Sequence, residues 1–447
     1  YDLQRPAGIS WFTPFWPAGQ SEDCLALNVW TPGLDGAKRP VLVWFHGGGY
    51  SRGSGGSSAY EGTNIALRGD VVSVTVNHRL NVFGYAALGE LLGADFEHAG
   101  NAGMLDLVHS LHWVRDNIER FGGDPDNVLI HGESGGGAKV STLLAMPGAE
   151  GLFHRAVIQS GPALRVETPA NATKTAQYLL DELGLGPRDV DALRAVPTDK
   201  LLAAGVAAAA RAAREGAGRG FRPVLGSDIP AHPFDPIGPE MSADVPVMIG
   251  SNLHETTLFV TQDRELFELD GRGLAERTRR IYGDDTEEVL ATYREAYPGA
   301  TPSDLYFVLA SDGTRFRSIQ LAEAKLERAA TMAGAAPVYM YRFDWLTPAW
   351  EGRFRAAHAF EIPFVFGNAQ LNDEITGGGP DAVALAARMR DAWVAFARHG
   401  APGHDELPRW PAYDTKTRAT MLFNDTCTVA NDPGKAERLL WNRLRAS

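Results

Sequence analysis

Val128-Leu129-Ile130-His131-Gly132-Glu133-Ser134-Gly135-Gly136 sets a serine between an apolar run and a helix-compatible one. Three apolar residues lead in and read as a buried strand, and a helix-compatible run from Ala138 to Ala145 leads out. Between them lies G-x-S-x-G. A serine on a tight strand-to-helix turn is pushed clear of the sheet with its hydroxyl exposed, and Gly132 and Gly136 let the backbone make that turn without Cβ clashes. The helix starting after Ser134 also turns free N–H groups towards negative charge developing there. In a chain with 49 glycines the five-residue pattern alone arises easily by chance. The flanking strand and helix give it weight.

Upstream, Val41-Leu42-Val43-Trp44-Phe45 is a continuous apolar run that reads as a central strand of a sheet covered on both faces. His46-Gly47-Gly48-Gly49 follows it. Attack on an ester carbonyl builds an oxyanion, and backbone N–H donors preorganised around it lower the barrier. Glycines present such donors without side chains blocking the substrate. Gly53 to Ser58 (GSGGSS) reads as a plain turn.

Further strand-like runs are Ala26 to Trp30, Val71 to Val76, Ala156 to Gln159, Val245 to Ile249, Val338 to Phe343 and Met421 to Phe423. Met104 to Arg120 and Asp381 to His399 carry helical spacing. Phe121-Gly122-Gly123-Asp124-Pro125 reads as a helix stop followed by a turn. Thr173 to Leu183, Asp189 to Val196, Glu265 to Ala296 and Ser318 to Met332 also read as helical, and the Ala-rich run Leu201 to Ala213 as an exposed or half-buried helix. The pattern is α/β: one mainly parallel sheet flanked by helices, a single domain over 1–447 with helix-rich insertions at about 162–242 and 265–332.

A serine hydroxyl needs a general base, and histidine titrates in the right range. In this architecture the order is serine, then acid, then histidine. Six histidines follow Ser134. His154 comes too early. His399 ends a helix beside Gly400, His404 sits in a Pro/Gly-rich loop, and His358 lies in a loop after a strand, followed by Phe360-Glu361-Ile362-Pro363-Phe364. Functional residues in open α/β sheets sit beyond the carboxyl ends of strands, so His358 is the candidate base. Glu255, in the loop after the strand Val245 to Ile249, is the candidate acid.

These motifs together resemble the type-B carboxylesterase/lipase family, the cholinesterase-like branch of the α/β-hydrolase fold. Glu22-Asp23-Cys24-Leu25-Ala26-Leu27-Asn28-Val29 is similar to its E-D-C-L-x-L-N-V block, and Asn77-His78-Arg79-Leu80 to its N-Y-R-L. Phe121 to Pro125 with Gly132-Glu133-Ser134 resembles its serine signature, and Ala356 to Phe366 its histidine block. The resemblance implies Ser134 as nucleophile, His358 as base and Glu255 as acid. It implies the N–H groups of Gly48, Gly49 and Gly135 as oxyanion donors, Glu133 lining the site, Ser160 near the histidine and acid, and a buried structural ion pair between Arg79 and Asp106.

The chain departs from that pattern in places. His254-Glu255-Thr256 stands where the family has D-E-G, so His254 either perturbs the acid or points away. Gly135 replaces Ala, and His78 replaces Tyr. Most of the region expected before Glu22, with the upstream partner of Cys24, is not in this sequence, so a further N-terminal segment or leader is expected and the compartment, cytoplasmic or secreted, stays open. Trp16 and Phe12 either line what remains of the pocket wall or pack.

The activity expected is hydrolysis of small-molecule carboxylic esters through an acyl-enzyme. The rivals are a non-catalytic binding protein on the same fold and a serine hydrolase for amides or thioesters. No cofactor or metal is expected, since no Cys/His cluster has zinc spacing and the Gly-rich loop lacks a G-K-[ST] ending. The net charge is −13 without a basic patch interleaved with aromatics, which argues against nucleic acid. No apolar run approaches a membrane span. Cys24 and Cys427 are expected to be free, largely buried thiols.

Overall fold

The computed structural model describes residues 21–332 and 334–446. Phe12 and Trp16 lie outside them. Among the described residues nine strands form one sheet: β1 (Leu27–Trp30), β2 (Arg39–Phe45), β3 (Val72–Val76), β4 (Gly123–Glu133), β5 (Arg155–Gln159), β6 (Val247–Asn252), β7 (Val338–Phe343), β8 (Ala419–Phe423) and β9 (Thr428–Asn431). Their order is β1-β3-β2-β4-β5-β6-β7-β8-β9. The inner seven run parallel, while β1 and β9 lie antiparallel at the two edges.

Parallel strands must be joined by crossovers, which cover both faces. β2 illustrates the result. Val41, Val43 and Phe45 pack on one face with Val74, Ile130, Ile158 and the helix Ala102–Asn117. Leu42 and Trp44 pack on the other with Leu129, Val157, Met248 and the helix Pro380–His399, through Leu385, Met389 and Trp393. Each large apolar side chain so buried contributes roughly 1.5–3 kcal/mol.

Between β5 and β6 stand the helices Pro169–Leu183, Val190–Arg194 and Thr198–Arg214, and residues 215–246 that follow hold no helix. Between β6 and β7 stand Gly271–Tyr282, Thr286–Ala296 and Pro302–Ala330. Leu274, Val289, Leu290, Tyr293, Leu305 and Leu309 from these three helices close a small separate core with Leu440 of the helix Lys435–Ala446.

The structure corrects several expectations. β4 begins at Gly123, so Gly123-Asp124-Pro125 is strand and not turn; the helix stop is Gly122 alone, in the left-handed region at φ 75°. β9 had no apolar signal because it is a half-exposed edge. Gly53–Ser58 is pinned, with the Gly55 N–H donating to Asn77 Oδ1 at 2.6 Å. Both cysteines are free, but they are half-buried and not buried. The Arg79–Asp106 pair is lopsided: the Asp106 side chain is 5% exposed and the Arg79 side chain 41%.

Candidate active site

Ser134 sits at the end of β4 with φ 56° and ψ −119°, a conformation that costs a non-glycine residue roughly 1–3 kcal/mol. It is held there from three sides. The Ser134 N–H donates to Gln159 O of β5 at 2.8 Å, and Ala138 N–H donates back to Ser134 O at 3.0 Å. The helix Gly135–Leu143 then starts against β2, so closely that a Cβ on Gly136 would stand 1.9 Å from Phe45 O.

β2 runs alongside β4, so the loop after it arrives beside the nucleophile. Gly48 and Gly49 both have positive φ, 85° and 65°. The loop presses on the serine turn: a Cβ on Gly47 would lie 3.4 Å from Ser134 Cβ, and one on Gly135 only 2.2 Å from Gly49 O. The three glycines expected to donate to an oxyanion thus lie on two facing backbones. Gly135 in place of Ala has a local reason in this chain, because the seam has no room for the methyl group.

Glu255 opens a short 3-10 helix, Glu255–Val260, just past β6. Its Oε1 accepts from Asn252 N–H at 2.8 Å, and its Oε2 lies 2.5 Å from His358 Nδ1. His358 stands on the loop after β7, the strand next to β6, so adjacent strand ends deliver acid and histidine to each other. The other imidazole nitrogen, Nε2, lies 3.1 Å from Glu133 Oε1, but the pair is not aligned as a hydrogen bond. Phe259, 67% exposed, covers the imidazole with its ring at 4.9 Å.

Burial dominates the electrostatics. It pushes the Glu133 carboxyl well above the ordinary range. At His358 burial works against a charged ring, but Glu133 and Glu255 outweigh it and hold the imidazole above its ordinary value. The two shifts have different causes: burial raises Glu133 although the His358 charge opposes it, whereas the neighbouring carboxylates raise His358.

Three residues that motif reading does not assign a role complete the floor. Glu361 is fully buried; its Oε2 accepts from Asn252 Nδ2 at 2.7 Å and its Oε1 from Gln159 Nε2 at 3.2 Å. Burial, then the Glu255 charge, raises its pKa to about 7. Asn252 Nδ2 also donates to Ala357 O at 2.6 Å, tying the acid loop to the histidine loop. The spacing of these residues in the sequence offers no signal for this network.

Ser160 has φ 49° and donates its N–H to Gly250 O at 2.9 Å, but its Oγ has no hydrogen-bond partner among the described residues. His254 is buried and makes no ion pair with Glu255 among the described residues; burial lowers its pKa to about 3. It therefore sits beside the acid as a neutral ring. No group of three or more His, Cys, Asp or Glu side chains placed to hold a metal occurs among the described residues.

The model of the carboxylesterase family matches residues 4–441. The chain belongs to the carboxylesterase family. It is 34% identical over 429 residues to para-nitrobenzyl esterase of Bacillus subtilis, which covers 94% of this chain and 82% of that one. It is 33% identical over 426 residues to phenmedipham hydrolase of Pseudarthrobacter oxydans, with the same shares. Among solved structures it resembles a carboxylesterase of Geobacillus stearothermophilus at 38% identity and a TM-score of 0.80, covering 95% of this chain and 86% of that one. This carboxylesterase therefore has the α/β-hydrolase fold and is a carboxylic ester hydrolase. Among its described residues no helix is long and apolar enough to cross a membrane.

Proposed function

We propose that Ser134, His358 and Glu255 carry out the hydrolysis through an acyl-enzyme, within a single domain whose helical insertions shape the pocket. Ser134 Oγ attacks the ester carbonyl while His358 Nε2 takes its proton. Glu255, bonded to Nδ1, fixes the tautomer and stabilises the imidazolium. The N–H groups of Gly48, Gly49 and Gly135 receive the oxyanion. His358 then gives its proton to the departing alkoxide, and water, deprotonated by His358, releases the acyl group. The observation that carries this reading is the contact of His358 Nδ1 with Glu255 Oε2 at 2.5 Å. It leaves Nε2 as the nitrogen that moves the proton.

The test is hydrolysis of p-nitrophenyl butyrate by wild type, Ser134→Ala and Glu255→Gln, with intact mass after organophosphate treatment. Expected are loss of activity in both variants, one adduct on the wild type and none on Ser134→Ala. Activity surviving in Glu255→Gln would move the acid elsewhere.

A further inference from the structure

Lys139 is a lysine with 0% exposure, and among the described residues it has no ion-pair partner. It stands on the helix Gly135–Leu143, just over one turn past the nucleophile. Its Nζ donates one hydrogen bond, 2.9 Å long, to the carbonyl of His46. His46 is the residue from which the Gly47–Gly49 loop springs. Around the ammonium lie the Tyr50 ring at 5.8 Å, with the Arg222 guanidinium 5.6 Å from that ring, and the His46 and His78 rings. Those two imidazoles stack at 4.9 Å and 2° and are kept neutral by burial.

A buried ammonium without a carboxylate is expensive, and a methionine would fill similar space at far less cost. Burial lowers its pKa to about 7, the mark of that cost. What Lys139 provides in return is a tie across one seam. The Gly135–Leu143 helix, with Gly135, lies on one side and the loop carrying Gly48 and Gly49 on the other. The seam is already in backbone contact at Gly135 against Gly49 and at Gly136 against Phe45.

We propose that Lys139 is a positioning residue for the oxyanion hole, its ammonium clamping the His46 carbonyl so that the Gly48 and Gly49 donors stay in register with Gly135. This rests on the reading that those three glycines receive the oxyanion. A misplaced donor is felt where charge develops and not where substrate merely docks.

The test compares wild type, Lys139→Met, Lys139→Gln and Ser134→Ala. The readouts are kcat and KM on p-nitrophenyl butyrate, inhibition by an aryl trifluoromethyl ketone that forms a tetrahedral adduct on serine, and thermal melts. Expected for Lys139→Met is a kcat loss of about tenfold or more with KM within about threefold, and ketone affinity weakened by the same factor as kcat. Lys139→Gln keeps an N–H donor and should recover most of the loss. A kcat loss below about fivefold in folded Lys139→Met, or Lys139→Gln no better than Lys139→Met, overturns the proposal. If Lys139→Met does not fold, Lys139→Leu, which also removes the donor, takes its place and is read by the same thresholds against Lys139→Gln. Ser134→Ala separates the two levels. Activity surviving there brings down the nucleophile and the clamp together, whereas an inactive Ser134→Ala beside an unaffected Lys139→Met removes only the clamp.

Discussion

Replacing Glu133 by glutamine should lower the pH at which the enzyme becomes active. The amide keeps the shape of the carboxyl group and removes its charge 3.1 Å from His358 Nε2. Unit charges that far apart interact by ~1.3 kcal/mol in a water-like medium and ~5 kcal/mol at an effective dielectric of about 20. At about 1.4 kcal/mol per pKa unit, the full interaction is worth roughly one to four units. Burial favours the neutral form of Glu133, which places the shift in the lower half of that range. The sign follows directly. A carboxylate favours the imidazolium, so its removal lowers the His358 pKa, and with His358 as the proposed base of Ser134 the free imidazole exists at lower pH. The assay is kcat/KM for p-nitrophenyl butyrate from about pH 5 to about pH 9 at constant ionic strength, wild type against Glu133→Gln. The acid limb should move down by about one unit or more. An acid limb that stays in place or moves up would show that His358 does not feel the Glu133 charge, and would refute the reasoning.

Two further predictions concern stability. Ser134→Gly should be more stable than Ser134→Ala by about 1 kcal/mol in urea unfolding, because glycine relieves the strained φ of 56° and alanine does not; equal midpoints would remove strain from the account. Arg79→Ala should cost about 1–2 kcal/mol, since it removes the guanidinium from an Asp106 side chain that is 5% exposed and leaves it only the N–H of residue 79. Asp106→Ala should cost less, because the Arg79 side chain is 41% exposed and can reach water, and the double variant should cost less than the sum. Additive costs in a double-mutant cycle would contradict this.

Much of the architecture was legible because parallel strands buried on both faces leave dense apolar runs. β2 and β7 could be read almost to the residue. β9 could not, because an edge strand answers to its partner and not to a core. Gly123 to Pro125 misled for the reverse reason: their turn-forming composition is overridden by pairing with β2 at Arg39. In the candidate site, Ser134 and His358 are the residues to which local motifs point. The contact of Glu133 with His358 and the Asn252–Glu361–Gln159 network join residues more than 100 positions apart, and nothing in the local sequence encodes them. Lys139 was invisible for a simpler reason. A lysine reads as solvated until packing shows otherwise.

The strand order carries a consequence for synthesis on the ribosome. From β4 onward each new strand lands on the edge left by the one before it, so the sheet can be extended in the order in which the chain emerges. At that growing side each intermediate displays an unpaired parallel edge until the antiparallel β9 pairs with β8. The proposed nucleophile follows β4, the acid β6 and the base β7. A nascent chain therefore carries an exposed serine turn long before it carries anything to activate it. On those proposed roles, serine, acid and histidine are all present only once β7 and the loop after it have been made, with β8 and β9 still to come.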